Sequence, residues 1–206
     1  MKNIRILSAW LLPAFAILFM AFNPVNTGYK VGDKVSDFNL KNVDKKMISL
    51  SGLQNNKGAI VIFTCNHCPF SIAYEDRIIA LHKKYESLGY PVIAINPNDE
   101  VKVPEDSFKK MIKRAKEKKF PFVYLHDATQ EVARTYGAVR TPHVYVLSKS
   151  EGNYTVEYIG AIDNNSQEPE AVTERYIEKA IDELLEGKKV TTTTTKAIGC
   201  TIKWKS

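Results

Sequence analysis

Residues 59–70 read Ala59-Ile60-Val61-Ile62-Phe63-Thr64-Cys65-Asn66-His67-Cys68-Pro69-Phe70, and the change of character inside this stretch decides the fold. Ala59 to Thr64 is a continuous apolar, β-prone run, which suits a strand buried on both faces. Beyond it the period changes. Phe70, Tyr74, Ile78, Leu81, Tyr85 and Leu88 recur at three- and four-residue steps, the stripe of an amphipathic helix, and Gly89 stands where helices stop. Cys65 and Cys68 therefore fall on a strand-to-helix turn.

That position has chemical consequences. The first turn of a helix has unpaired N–H groups and a partial positive charge, so a cysteine there ionises more readily, and the thiolate is the nucleophile. The expected arrangement has Cys65 exposed and attacking. Cys68 is tucked beneath it and resolves the mixed disulfide by closing a ring through Asn66 and His67. Pro69 fits because the first turn does not need its N–H. His67 is either a solvent-exposed spacer or, when protonated, a group that stabilises the Cys65 thiolate. A stabilised reduced form is the stronger oxidant, so a potential less reducing than roughly −270 mV, thioredoxin's value, is expected. A zinc knuckle is the competing reading of C-x-x-C, but a closed zinc site needs four ligands. Cys200 is the only other cysteine, and His82, His126 and His143 show no ligand spacing. A purely structural disulfide across so short a loop would add little stability.

Working outward, two short strands are expected at Phe38–Leu40 and Met47–Leu50. Further strands are expected at Pro91–Ile95 and Phe122–Leu125, and a hairpin at His143–Leu147 and Tyr154–Ile159 with Gly152 in its loop. Helices are expected after Asp106 or Ser107, either of which can cap, from Thr129 to Tyr136 with Gly137 closing it, and from Glu170 to Glu186. The order is a strand pair, then β-α-β-α-β-α, then a hairpin and a helix. This predicts an α/β protein with a mixed central sheet flanked by helices on both faces. It is the order of a thioredoxin fold with an extra helix-strand insertion and an N-terminal strand pair.

The motifs TCNHCP, VARTYGAVRTPHVYVL and the strand end YIG together resemble the thioredoxin-like redoxin superfamily. The segments INPNDE, PEDSFKKM, FPFVYLHDATQEVA and GCTIKWK are similar to one subgroup, exported thiol–disulfide oxidoreductase and peroxiredoxin-like (AhpC/TSA-type) proteins. The resemblance spans about Gly32 to Lys205. It implies that Pro142 is cis and packs against the cysteine pair, and that the backbone of Thr141 helps bind an extended substrate chain. Cys65, Cys68 and Pro142 are thus the expected catalytic residues, and Asn66, His67 and Thr141 the expected substrate contacts. There are departures. Members of the subgroup often carry a cysteine where Arg140 stands. Thioredoxin's buried acid has no counterpart in AIVIFT, so proton transfer from Cys68 needs another group or water, Glu75 being one candidate although a surface position is expected for it. Peroxiredoxins place a threonine or serine three residues before the reactive cysteine and a proline further upstream. Here those positions hold Ile62 and Gly58, which argues against efficient peroxide reduction. A non-catalytic binding module on this fold is the third reading; retention of both cysteines and Thr141-Pro142 speaks against it.

Composition agrees with an ordinary globular core: 206 residues, 44% apolar, 25% charged. The formal net charge of +6 suggests a nucleic-acid surface less than it first might. Lys2 and Arg5 belong to the N-terminal segment, and the run Lys109, Lys110, Lys113, Arg114, Lys116, Lys118 and Lys119 lacks interleaved aromatics and reads as a solvated helix face. Residues 1–23 are expected to be a signal peptide or membrane anchor, with a tether through the charge-free run 6–22. This places the 30–187 thioredoxin-like domain outside the cytosol, periplasmic or facing the periplasm or extracellular side, where disulfide chemistry is permitted. Residues 188–206 read as a tail, in which five threonines precede Cys200. That cysteine is either an accessory thiol or, the favoured reading, a lone thiol packed with Ile198, Ile202 and Trp204. Protein thiols or disulfides and a redox partner protein are the expected partners, with no nucleic acid, metal or cofactor.

Overall fold

The computed structural model describes residues 28–53 and 55–206; the expected signal or anchor lies outside them. In chain order the elements are β1 (Lys34–Val35), β2 (Asn39–Asn42), β3 (Met47–Ser49), β4 (Gly58–Phe63), α1 (Pro69–Tyr85), β5 (Val92–Asn96), α2 (Phe108–Lys118), β6 (Val123–His126) and α3 (Glu131–Tyr136). They continue with β7 (Arg140–Thr141), β8 (His143–Ser150), β9 (Asn153–Gly160), α4 (Tyr176–Leu185) and β10 (Cys200–Thr201).

Among the described residues eight strands form one sheet in the order β1-β9-β8-β4-β5-β6-β2-β3, and β7 pairs with β10 in a separate ribbon. β4, β5 and β6 run parallel, while β8, β9, β2 and the edges are antiparallel. The chain has the thioredoxin fold with mixed sheet and flanking helices that its sequence predicts. The apolar run of β4 is explained by the alternation of its side chains. Ile60 and Ile62 face a core made with Tyr74, Ile78, Met111, Ile177 and Ile181 of α1, α2 and α4. Ala59, Val61 and Phe63 face a second core with Ala133 and Tyr136 of α3. All six residues of β4 are buried.

Apart from small shifts at the ends of other elements, three features differ from the sequence reading. β1 is an edge strand of two residues, too short for any periodicity to reveal. The last helix begins at Tyr176 rather than Glu170, because Pro169–Ala171 forms a 3₁₀ turn and the Asn164 side chain accepts the N–H groups of Thr173 and Glu174, at 3.1 and 3.2 Å. The threonine run is not a free spacer: Thr194 bridges to Ile159, and Thr195 N–H bonds the Ile159 carbonyl. The remainder of the tail lies against the dithiol end of the sheet.

Candidate redox site

The turn between β4 and α1 leaves Cys68 at the N-cap of α1, with Pro69 in the first helical position, as the sequence predicts. Both sulfurs are buried, Cys65 at 3% exposure and Cys68 at 0%, so the expectation of an exposed Cys65 is corrected. The cover comes from Thr141 and from the tail. Cys65 Sγ lies 3.3 Å from Thr141 Oγ1, and Cys68 Sγ donates to the Thr141 carbonyl at 3.2 Å. The Thr141–Pro142 bond is cis and Pro142 is buried beside it. The cysteines, Thr141 and Pro142, far apart in sequence, are thus brought together as the resemblance implies.

All three cysteines are free thiols. The titrations of Cys65 and Cys68 are linked, and the environment sets which sulfur is the more acidic. The neighbouring Cys65 thiol, and after it the Cys200 thiol and the N–H groups of Ser71 and Cys200, favour the ionised form of Cys68; they outweigh its burial and push it from an ordinary 9.0 down to about 4. Cys65 is pushed far up, by its hydrogen bond to Cys68, then by burial and by the negative charge of Asp106. Acidity is therefore tipped toward the inner sulfur, Cys68, and away from Cys65, the reverse of what the sequence suggested. The physical reason is that the helix N–H groups and the tail both converge on the inner sulfur, while a carboxylate faces the outer one.

Asp106, read from sequence as a helix cap, is the residue whose role was missed. It is fully buried. Oδ1 accepts the backbone N–H groups of Asn66 and His67, at 2.7 and 3.2 Å. Oδ2 accepts Nδ1–H of His67 at 2.6 Å and the Asn98 amide at 2.7 Å. This carboxylate substitutes for secondary structure in the C-x-x-C turn, which has no ladder of its own to satisfy those donors. It also changes the part assigned to His67. Nδ1 lies 3.6 Å from Cys65 Sγ but only 2.6 Å from Asp106, so the ring's nearer partner is the carboxylate and not the sulfur. Asn66 is likewise committed: its amide donates to the Glu105 carbonyl at 2.8 Å and accepts from Tyr124 Oη at 3.0 Å. The half-exposed His67, with 26% of its side chain in solvent, is the open flank of the site.

Cys65, His67 and Asp106 offer donor atoms all within 4.8 Å of one another. Every lone pair that Asp106 directs at the turn is already used, and a closed zinc site takes a fourth ligand. Glu75 is corrected from surface to interior. Its carboxylate is 7% exposed and receives a two-pronged bond from Arg114, 2.7 Å on each oxygen, with Lys118 at 3.3 Å. Arg114 and Lys118 thereby leave the solvated run, whereas Lys109, Lys110, Lys113, Lys116 and Lys119 stay exposed.

The position of Cys200 also corrects the favoured reading. It is not an isolated thiol: β10 pairs antiparallel with β7 so that Cys200 is opposite Thr141. The strand edge expected to take an extended substrate is thus occupied by the chain's own residues 200–201. Arg140 donates to the Gly199 carbonyl at 2.8 Å and fastens this segment.

The pattern of the AhpC/TSA family matches residues 31–158. No curated protein matches the chain. Among solved structures, an uncharacterized conserved protein from Geobacillus kaustophilus is 36% identical with a TM-score of 0.79, covering 85% of this chain and 93% of that one. A peroxidoxin BcpB from Mycobacterium tuberculosis is 20% identical with a TM-score of 0.53, covering 63% and 84%. A thiol-disulfide oxidoreductase from Bacteroides fragilis is 15% identical with a TM-score of 0.52, covering 62% and 89%. The last two likenesses concern the fold alone.

Proposed function

Because the chain belongs to the AhpC/TSA family, whose chemistry is thiol-based redox chemistry, we propose that it is a thiol–disulfide oxidoreductase acting on protein thiols or disulfides, with Cys65 attacking and Cys68 resolving. One observation carries the reading: two free thiols on one helix-capping turn both bond the same residue, Thr141, whose peptide bond to Pro142 is cis.

The steps follow from that geometry. A substrate disulfide approaching the His67 flank meets Cys65 first. The proton shared by the sulfurs moves from Cys65 to Cys68, leaving a Cys65 thiolate that the Thr141 hydroxyl can donate to at 3.3 Å. Cys65 attacks one substrate sulfur; the substrate S–S bond breaks, a Cys65–substrate disulfide forms and the first substrate thiolate leaves. Cys68 passes its proton to that leaving group and attacks Cys65 Sγ. The Cys65–Cys68 bond forms and the second substrate thiolate departs. The reverse sequence oxidises substrate dithiols. Thr141, Pro142 and His67 form the walls, and Asn66 keeps the turn in shape. An extended substrate that pairs with Thr141 must displace β10.

The runner-up, a peroxidase, gains support from the family and loses it at Ile62, a buried apolar residue within β4 that offers no hydroxyl to a peroxide. Residues 1–23 support export, and with it a partner protein on the far side of the membrane. Reduction of insulin disulfides, compared with peroxide consumption, tests the assignment. Wild type is expected to reduce insulin, Cys65→Ser and Cys68→Ser to lose at least about 10²-fold, and peroxide turnover to stay slow. Fast Cys65-dependent peroxide turnover with no insulin reduction overturns the ranking.

A further inference from the structure

We propose that Cys200 is a third redox thiol of this site, which exchanges into the oxidised pair to form a Cys68–Cys200 disulfide and straps the tail covalently across the Thr141 edge. The proposal rests on the dithiol reading above and extends it.

Four independent observations carry it. Cys200 is in register with Thr141, and Thr141 itself touches both active sulfurs. The approach of the tail is as close as backbone allows: a Cβ at Gly199 would lie 2.2 Å from the Thr141 carbonyl oxygen, so only glycine lets Cys200 come this near. The tail is held in that register at several points. Arg140 bonds Gly199, Ile202 N–H bonds the Val139 carbonyl at 3.2 Å, and Lys203 N–H bonds Asn98 Oδ1 at 2.8 Å. Gln130 spans the Pro97 and Lys203 carbonyls, at 2.6 and 2.9 Å, and accepts from Lys205 N–H at 2.7 Å. Finally, Cys68 Sγ lies 3.2 Å from the same Thr141 carbonyl that Gly199 approaches, whereas Cys65 Sγ meets the Thr141 hydroxyl instead.

The exchange needs no oxidant beyond the substrate disulfide that made Cys65–Cys68. The Cys200 thiolate attacks Cys68 Sγ. The bond from Cys68 to Cys65 breaks, the bond from Cys68 to Cys200 forms, and Cys65 leaves as a thiolate that takes up the proton Cys200 released. Electrons are conserved, since one disulfide replaces another. In the reduced protein Cys200 is held up at about 11, by burial first and then by its bond to Cys68 and the negative charge there. Once Cys68 is in a disulfide those last two causes vanish, while Lys203 and Arg140 still favour the Cys200 thiolate. Oxidation of the pair thus itself prepares the third thiol. The product has Cys65 free and the tail locked over β7, closing that edge to an extended chain until it is reduced.

Full-length protein is oxidised in graded mixtures of reduced and oxidised glutathione, quenched by alkylation and mapped by peptide mass spectrometry. Expected in wild type is a Cys68–Cys200 peptide with Cys65 alkylated, beside Cys65–Cys68; Cys200→Ser gives Cys65–Cys68 alone. A Cys65→Ser variant, its thermal midpoint checked against wild type, is expected to retain the Cys68–Cys200 bond. If wild type and Cys65→Ser give no bond to Cys200 while Cys65–Cys68 forms normally, the third-thiol proposal is overturned and the dithiol reading stands. If no Cys65–Cys68 bond forms in wild type or in Cys200→Ser, the dithiol reading itself has failed.

Discussion

Asp106 accepts four hydrogen bonds, three of them from the C-x-x-C turn, and its charge adds to the coupling with Cys68 and the burial that raise Cys65. Asp106→Ala leaves buried donors of Asn66 and His67 unpaired. It is expected to lower stability by about 2–4 kcal/mol in urea unfolding; an unchanged midpoint would remove Asp106 from this role. At Cys68 the consequence is a pH dependence. Its folded value is depressed, so between about 4 and 9 the unfolded chain binds more protons at this site and stability rises with pH. The contribution is fully present above about 9 and is lost as pH falls toward 4; Cys65, shifted the other way, subtracts only above its ordinary 9.0. Reduced wild type should therefore gain stability over reduced Cys68→Ser between pH 5 and pH 8. Equal gains in the two proteins would mean that Cys68 is not the depressed thiol.

At the scale of elements, α1 and α2 are joined by the ion pair of Glu75 with Arg114, desolvated on the Glu75 side. Arg114→Ala leaves that carboxylate only Lys118 and is expected to cost about 2–4 kcal/mol. Adding Glu75→Leu should recover most of the loss, and a double variant no better than the single would show that the pair is not coupled. Which parts of these elements could be read from sequence follows from the same physics. β4 and α1 were legible because burial on both sheet faces and on one helix stripe each leave a periodic trace. Glu75 and Arg114 were not, because a buried ion pair on a helix looks like two solvated charges until the second helix is placed. α4 lost its first turn to Asn164, whose side-chain bonds to residues nine and ten positions on carry no local signal.

Across the whole molecule, Asn98 connects the two halves of the site. Its amide nitrogen bonds Asp106 and its oxygen receives the tail at Lys203, so the INPNDE segment, which the sequence marked only as a shared motif, ties the C-x-x-C turn to β10. The cysteine pair and Thr141-Pro142 could be located from the chain alone. The lowered Cys68, the buried Cys65 and the docked Cys200 could not, because each depends on contacts between segments more than thirty residues apart in sequence. An oxidising poise is here a proposal on a different footing: His67 Nδ1 is engaged by Asp106, and the lowered Cys68 thiol would stabilise the reduced state instead. The most direct measurement is the midpoint potential of Cys65–Cys68, from alkylation after equilibration in glutathione buffers between pH 5 and pH 8. A reduced pair already carrying one thiolate takes up one proton per two electrons. The expected result is a reversible disulfide with a potential above roughly −270 mV, falling by about 30 mV per pH unit. A slope near 59 mV, meaning two thiols protonated at neutral pH, or no reversible disulfide at all, would contradict a site built around a shared proton.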